Sequence, residues 1–532
     1  MESKYDYIII GAGSSGCVVA GRLGEAGYRV LLLEAGGKDN SPWIKIPLGY
    51  SKLYNNPKVN WCYTSEPEPE LNNRPLFQPR GKVLGGSGSI NGMIYMRGQA
   101  QDFDSWEAQG CAGWGWEKVL PYFKKSENQQ RGASEFHGVG GPLEVSDLPS
   151  NHALGEAFHS ASEALGSPRN NDFNGAGQVG TGYVQINTKK QRRWSTASGF
   201  LTGPAMQNIT VQLGAMVENI ILKNGVATGV RWSNKSGKYD SFVTKEVIVC
   251  GGVFNSPQIL ELSGIGNREV LEKAGVEVQH ELPGVGENLQ DHFGISAEYQ
   301  CSKRITVNDL YNNPILGGLQ LLRYLVFKTG PFADNGNYSN TFITTAPHIK
   351  TPDMMITLMA WNTGEDLKPK PFSGFTILAE HIRPKSRGSC HIKTSSQQDA
   401  PVIKFNFLKH QDDIDAAIAG LKQARKIAQT APMDEFVKSE ISPGPGPKTE
   451  AELEAHCRQN GLSLLHGAGT CRMGTIEQED AVVDYRLRVR GLKGLRVVDA
   501  SIMPNVVSGN THATAVMIGE KGAAMIIEDA KA

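Results

Sequence analysis

The stretch YDYIIIGAGSSGCVVAGRLGEAGYRVLLLEAG, residues 5–36, constrains the fold more than any other part of the chain. An apolar run from Tyr7 to Ile10 reads as a buried strand and leads into Gly11-Ala12-Gly13-Ser14-Ser15-Gly16. Val18, Val19 and Leu23 then recur at helical spacing, Gly27 marks a stop, and Val30 to Leu33 forms a second strand ending at Glu34-Ala35. Each element has a physical task. Gly11 allows the tight turn, Gly13 lets the backbone approach a pyrophosphate, and Gly16 permits close helix–strand packing. The helix N-terminus, with Ser14 and Ser15, faces the phosphates, and Glu34 can accept hydrogen bonds from a ribose. The order strand, glycines, helix, strand, acid predicts a doubly wound α/β sheet that binds a dinucleotide. An acid at Glu34 disfavours a 2′-phosphate and so NADP; NAD and FAD both remain compatible.

A chain of 532 residues exceeds one ordinary core and calls for two or three domains, or two built from interleaved segments. Its 54 basic and 54 acidic side chains cancel, and there is no long Lys/Arg block, so charge favours neither nucleic acid nor an anionic membrane surface. No apolar run approaches the ~20 residues that span a bilayer. No secretory leader is expected from MESKYDYIII. The eight cysteines are scattered without a CxxC pair, which reads as reduced thiols in a cytoplasmic protein.

Two further runs, RGKVLGGSGSINGMIYMRG (80–98) and GGVFNSPQILELSGIG (251–266), are turn-rich segments feeding apolar ones. With LPGVGENLQDH (282–292) and RLRVRGLKGLRVVDASIMP (486–504), they resemble, over nearly the whole length, the glucose-methanol-choline (GMC) oxidoreductases, which bind FAD. The resemblance implies that Asn91, Gly92, Met93 and Ile94 run beside the flavin and that Val217 meets the adenine through its backbone. It likewise implies that Trp61, Val83, Gly86, Ser87, Asp499 and Ala500 line the cofactor. Some relatives attach FAD through a histidine where this chain has Ile90, so FAD is expected to be non-covalent. The residues agree that the cofactor is large: GLRVVDASIMP reads as a second nucleotide-domain strand more than 450 residues after the first.

The family also implies interleaved domains. A Rossmann-like FAD domain would comprise 1–145, 195–295 and 462–532, and an α+β substrate domain built on an antiparallel sheet would comprise 146–194 and 296–461. Breaks such as NNP (312–314), KPKPF (368–372) and PGPGP (443–447) fall in the latter segments. Between them MMITLMAW (354–361), GFTILAEHI (374–382) and CHIKT (390–394) read as strands of one pocket wall. DIDAAIAGLKQARKIAQ (413–429) reads as a scaffold helix.

Alcohol oxidation by a flavin needs an acceptor for the hydroxyl proton, a hydrogen-bonding group for the developing alkoxide, and a hydride acceptor. HGAGTCRMG (466–474) resembles the family's HPxGTxxMG block, which places His466 as the base. SGNTHATAVMIGEKGAAMI (508–526) resembles the block carrying the second active-site residue, His or Asn, which places His512 as alkoxide partner. The helix expected after His512 would aim its positive end at the flavin, with Asn510 and Thr511 as backbone neighbours of the ring. A metal reading of His456, Cys457, His466 and Cys471 matches no tetrahedral zinc spacing, so no metal is expected. The other histidines, including His292, are expected to be structural and Cys471 a packed thiol.

Relatives often have an aromatic residue before the base and a proline after it; here these are Leu465 and Gly467. A roomier, more aliphatic pocket mouth with less cation–π capacity is therefore expected, which disfavours choline. Trp361 could be a pocket aromatic or a core one. The expected reaction is oxidation of a neutral aryl, furanic or aliphatic primary alcohol to the aldehyde, with O2 or a quinone-type acceptor taking the electrons. The alternatives are a choline-type dehydrogenase and a redox-silent flavin lyase.

Overall fold

The computed structural model describes residues 5–364 and 368–531. The strand Tyr5–Ile10 pairs in parallel with Val30–Glu34 on one side and Gly237–Val249 on the other. Ile209–Leu213 extends this sheet beyond Val30–Glu34, and Leu495–Val497 joins Gly237–Val249, also in parallel. Tyr7 to Ile10 and Val30 to Leu33 are at most 3% exposed, because helices cover both faces of a parallel sheet. A three-stranded antiparallel ribbon, Met216–Lys223, Val226–Asn234 and Gly237–Val249, completes it.

Helix Ser14–Glu25 follows the glycine turn, and helix His512–Asp529 from the far end of the chain packs against it. Small residues allow this approach. A Cβ at Gly519 would sit 2.9 Å from Val18 Cβ, and Ser15 Oγ donates to Ala515 O at 2.7 Å. Arg22 and Lys125 then close on the fully buried carboxylate of Glu520 at 2.6 and 3.2 Å.

A second large sheet runs Val437–Ser442, Phe293–Cys301, Gly374–His381, Met354–Met359, Asn337–Ile343, Gly180–Tyr183, antiparallel throughout. Its period-2 alternation separates two faces. Ile295, Ala297, Ile356, Leu358, Ile377 and Ala379 point into a core with Ile414, Ile418 and Leu421 of helix Gln411–Ala428. The intervening Ser296, Glu298, Thr357, Met359, Thr376, Leu378 and Glu380 line a cavity. The expected strand CHIKT departs from the reading. Ser389–His391 pairs only with Val402–Lys404 in a separate two-stranded ribbon, because the Cys390 amide, donating to Gly286 O at 2.7 Å, and the close approach of Lys404 O to Gly388 draw it away from the sheet.

Gly13 and Gly16 separate packing from binding. A methyl at Gly16 would lie 1.9 Å from Gly11 O, whereas one at Gly13 meets no protein atom within 4 Å and its φ of −82° suits any residue. Gly16→Ala is expected to destabilise the fold by about 1–3 kcal/mol. Gly13→Ala should leave the thermal midpoint of the ligand-free protein unchanged and weaken dinucleotide binding. Equal loss of midpoint in both variants would contradict the assignment.

Candidate active site

A single cavity of about 1110 Å³ runs from the first sheet to the second. Its nucleotide end is bounded by Gly11, Gly13, Ser14, Ser15, Glu34, Ala35 and Val217. Gly86, Ser87, Asn91, Gly92, Met93 and Ile94 follow, then Asp499, Ala500, Asn510, Thr511 and His512. Trp61, Trp361, Leu465 and His466 lie along the remaining wall. Two predicted residues stand apart from this surface. Gly16 serves the packing described above, and Val83 is buried among Ile44, Leu53, Val59 and Ile90, with its backbone bridged to Gly37.

Glu34 accepts from the amide of Ala12 at 3.0 Å and from that of Gly36 at 2.8 Å, which fixes the turn around the nucleotide end. Burial pushes its carboxyl up to about 7 against those amides. Asp499 is equally committed: it accepts from the Gly252 and Ser501 amides and from Ser256 Oγ. The loop Asn91–Ile94 is bolted down by Arg193, whose guanidinium donates to Asn91 O at 2.6 Å, Asn91 Oδ1 at 2.7 Å and Gly88 O at 3.2 Å. Asn335 Nδ2 donates to Gly92 O at 2.6 Å from the other sheet's side. Nothing in the local run QRRW distinguishes Arg193; only the fold shows what it holds.

His466 follows the short strand Leu462–Ser463, after Leu465 has taken the left-handed φ of +66°. Asp291 sets that turn: one carboxylate oxygen accepts from the His466 amide at 2.7 Å and the other from Ser463 Oγ. Arg80 Nη1 donates to Leu465 O at 3.1 Å. The imidazole is gripped at both nitrogens. Nδ1 lies 3.0 Å from Nδ1 of His292, and Asn510 Nδ2 lies 2.8 Å from Nε2. An amide donating to Nε2 requires a lone pair there, so Nδ1 carries the proton and shares it with His292. Burial first, then the Arg80 charge, lowers His466 to about 3. His512 begins the C-terminal helix; its Nδ1 meets Ser14 Oγ at 2.9 Å, and burial, then the Arg193 charge, lowers it to about 4. Both rings are therefore neutral at neutral pH.

Four expectations change. The side chain that meets His466 is that of Asn510, which the sequence placed only as a backbone neighbour, while His512 engages Ser14. His292 is not an isolated structural histidine but the direct partner of His466. Gly467 does not widen the mouth, since a Cβ there would lie 3.1 Å from both Arg80 Nη2 and Val253 Cγ1. Nor is the wall poor in aromatic rings: Tyr50, Tyr54, Trp61, Phe77, Phe254 and Trp361 all face the cavity.

The residues suit an elongated dinucleotide. Gly13 leaves open space at the start of a 12-residue helix, the acid Glu34 closes one end, and the cavity continues unbroken past the Asn91–Ile94 loop to the two histidines. Among the described residues, no group of three or more His, Cys, Asp or Glu side chains is placed to hold a metal, and no helix is long and apolar enough to cross a membrane.

Residues 5–294 and 384–519 match the two GMC oxidoreductase family models. An alcohol dehydrogenase [acceptor] of Pseudomonas putida is 39% identical, with 98% of this chain and 96% of that protein covered. An oxygen-dependent choline dehydrogenase of Vibrio vulnificus is 38% identical over 99% of this chain and 95% of its own length. Among solved structures, a pyridoxine 4-oxidase from Mesorbium loti superposes with a TM-score of 0.89 at 29% identity, covering 98% of this chain and 99% of that one.

The buried neutral imidazoles give stability a specific pH dependence. Below about pH 6.5 the unfolded chain binds protons at His466 and His512 that the folded chain refuses until about 3 and 4. Stability from these sites is thus lost as pH falls, by up to about 2 kcal/mol per imidazole near pH 5. His466→Asn/His512→Asn should lose less stability than the parent between pH 7 and 5 in urea unfolding. Parallel losses would contradict buried neutral rings.

Proposed function

This chain belongs to the GMC oxidoreductases, FAD-dependent flavoproteins, and we propose that it oxidises a neutral primary alcohol to the aldehyde with His466 as the proton acceptor. The observation that carries this reading is the clamping of His466: Asp291 fixes its backbone, His292 its Nδ1, and Nε2 keeps a lone pair facing the cavity side of Asn510. A hydroxyl entering there takes the place of the Asn510 amide at the single Nε2 lone pair and gives up its proton to Nε2. The imidazolium so formed keeps its Nδ1 proton on His292. His512, whose Nε2 meets no partner among the described residues, is the second hydrogen-bonding group for the alkoxide oxygen. Bound FAD supplies the acceptor for the hydride that leaves the carbinol carbon. With Ile90 where some relatives attach the flavin, no nucleophile is available and the FAD is held non-covalently.

The wall opposite supports a neutral substrate. It carries two acids, but Glu298 is paired with Lys370, and burial pushes Glu380 up to about 8, so it is protonated at neutral pH while accepting from Thr357 Oγ1 at 2.7 Å. Neither offers a free carboxylate to a cation. The second reading, a choline-type amino alcohol, draws on the aromatic rings of Tyr50, Tyr54 and Trp361, which could face an ammonium group.

A panel of aryl, furanic and aliphatic alcohols with choline, run with oxygen and with a quinone dye, decides between these. Higher kcat/KM for choline than for every neutral alcohol overturns the neutral reading. Anaerobic bleaching of the flavin band by the preferred alcohol separates oxidation from lyase chemistry. His466→Ala is expected to slow that bleaching by about 10²–10⁴-fold with FAD still bound. Reduction at the parent's rate would refute His466 as the base.

A further inference from the structure

The helix Pro314–Phe327 presents an apolar ridge to solvent. Ile315, Leu319, Leu322, Leu325, Val326 and Phe327 are 53 to 77% exposed, six of the thirteen large apolar side chains exposed among the described residues. Such a concentration on one helix marks an interaction surface. The opposite side of the helix is firmly seated: Leu316, Leu321 and Tyr324 pack with Ile46, Leu48, Val307 and Phe332, and Tyr324 Oη donates to Gln191 O at 2.9 Å. The ridge is therefore a rigid feature and not a core face turned outward.

Its surroundings say what covers it. Three stretches distant in sequence meet here, residues 40–65, 184–203 and 310–333, joined by Tyr324–Gln191, Arg193–Ile44, Ser51–Tyr311 and the shared cluster. Together they contain no Asp or Glu and nine Lys or Arg. Lys52 over the Tyr311 ring, Arg192, Arg323 and Lys328 over the Tyr324 ring belong to these stretches, and none of the four forms an ion pair among the described residues. Overall neutrality, which argued against an anionic surface, is an average over the molecule. Lys45 and Lys189 pair with Asp39 and Glu144 just outside these stretches and Arg193 is buried, which leaves the other six cations of this side without an ion pair among the described residues.

We infer that helix Pro314–Phe327 docks peripherally on a lipid bilayer containing anionic headgroups, its apolar side chains entering the acyl boundary and the cations meeting the headgroups. At 14 residues the helix is about 21 Å long, too short to span the ~30 Å core, and one side is occupied by protein. Pairing with a second copy about a two-fold axis would bring the same acid-free stretches together twice over, leaving Arg323 and Lys328 uncompensated. The underlying cluster includes Trp361, which also lines the cavity, so the docked face backs directly onto the substrate wall.

Flotation of the full-length, FAD-loaded enzyme with phosphatidylcholine vesicles, with and without phosphatidylglycerol, tests this. The enzyme is expected to float with the anionic vesicles and to be released by high salt. Leu319→Gln/Leu322→Gln, both at exposed positions, and Arg323→Glu/Lys328→Glu should each weaken binding by about tenfold or more. FAD content and turnover of a water-soluble alcohol should be unchanged. An enzyme that stays unbound at low salt, or variants that float like the parent, overturn the proposal. So does a dimer in sedimentation velocity that the leucine variant splits without any vesicle binding, since a second copy would then cover the face.

Discussion

The site depends on one long-range pairing, that of the first helix with the last. Arg22 and Glu520 are 498 residues apart, yet their ion pair is largely shielded from water, with the Glu520 carboxylate fully buried and bonded at both oxygens. Removing one partner of such a pair costs about 3–5 kcal/mol, because the remaining charge is stranded. The same packing brings Ser14, at the start of the first helix, to His512, at the start of the last. Two helix N-termini thus open onto one cavity, and the positive ends of both dipoles face the region where phosphates and developing negative charge would lie.

The second constraint is the strict alternation of the antiparallel sheet. Because each strand buries every other residue against helix Gln411–Ala428, the intervening residues have no choice but to face the cavity. That is how a core-forming sheet also supplies a polar wall. The wall's chemistry is set by its neighbours: Lys370 neutralises Glu298, and desolvation neutralises Glu380.

The nucleotide end was legible because its function lies in contiguous residues. Turn, helix start and acid follow one another between Gly11 and Glu34, and each has a local physical signature. His466 and His512 were legible only through resemblance to longer blocks. What fixes them was not legible, since Asp291, His292, Arg80 and Arg193 reach the site from segments whose local patterns show no catalytic spacing. Gly467 shows the same limit. Its missing side chain looked like pocket volume, but the space belongs to Arg80 and Val253.

Charge behaves in the same way. A count of 54 against 54 describes the chain, while an approaching surface feels only charges within about a Debye length, some 8–10 Å. Folding brings three acid-free stretches to one side, so a molecule without net charge acquires a cationic face. The apolar ridge on that face and the aromatic wall of the cavity are opposite sides of one cluster, with Tyr50 and Trp361 in edge contact at 6.1 Å on the inner side. Displacement of helix Pro314–Phe327 would therefore be felt at Trp361, because close-packed clusters transmit strain rather than absorb it.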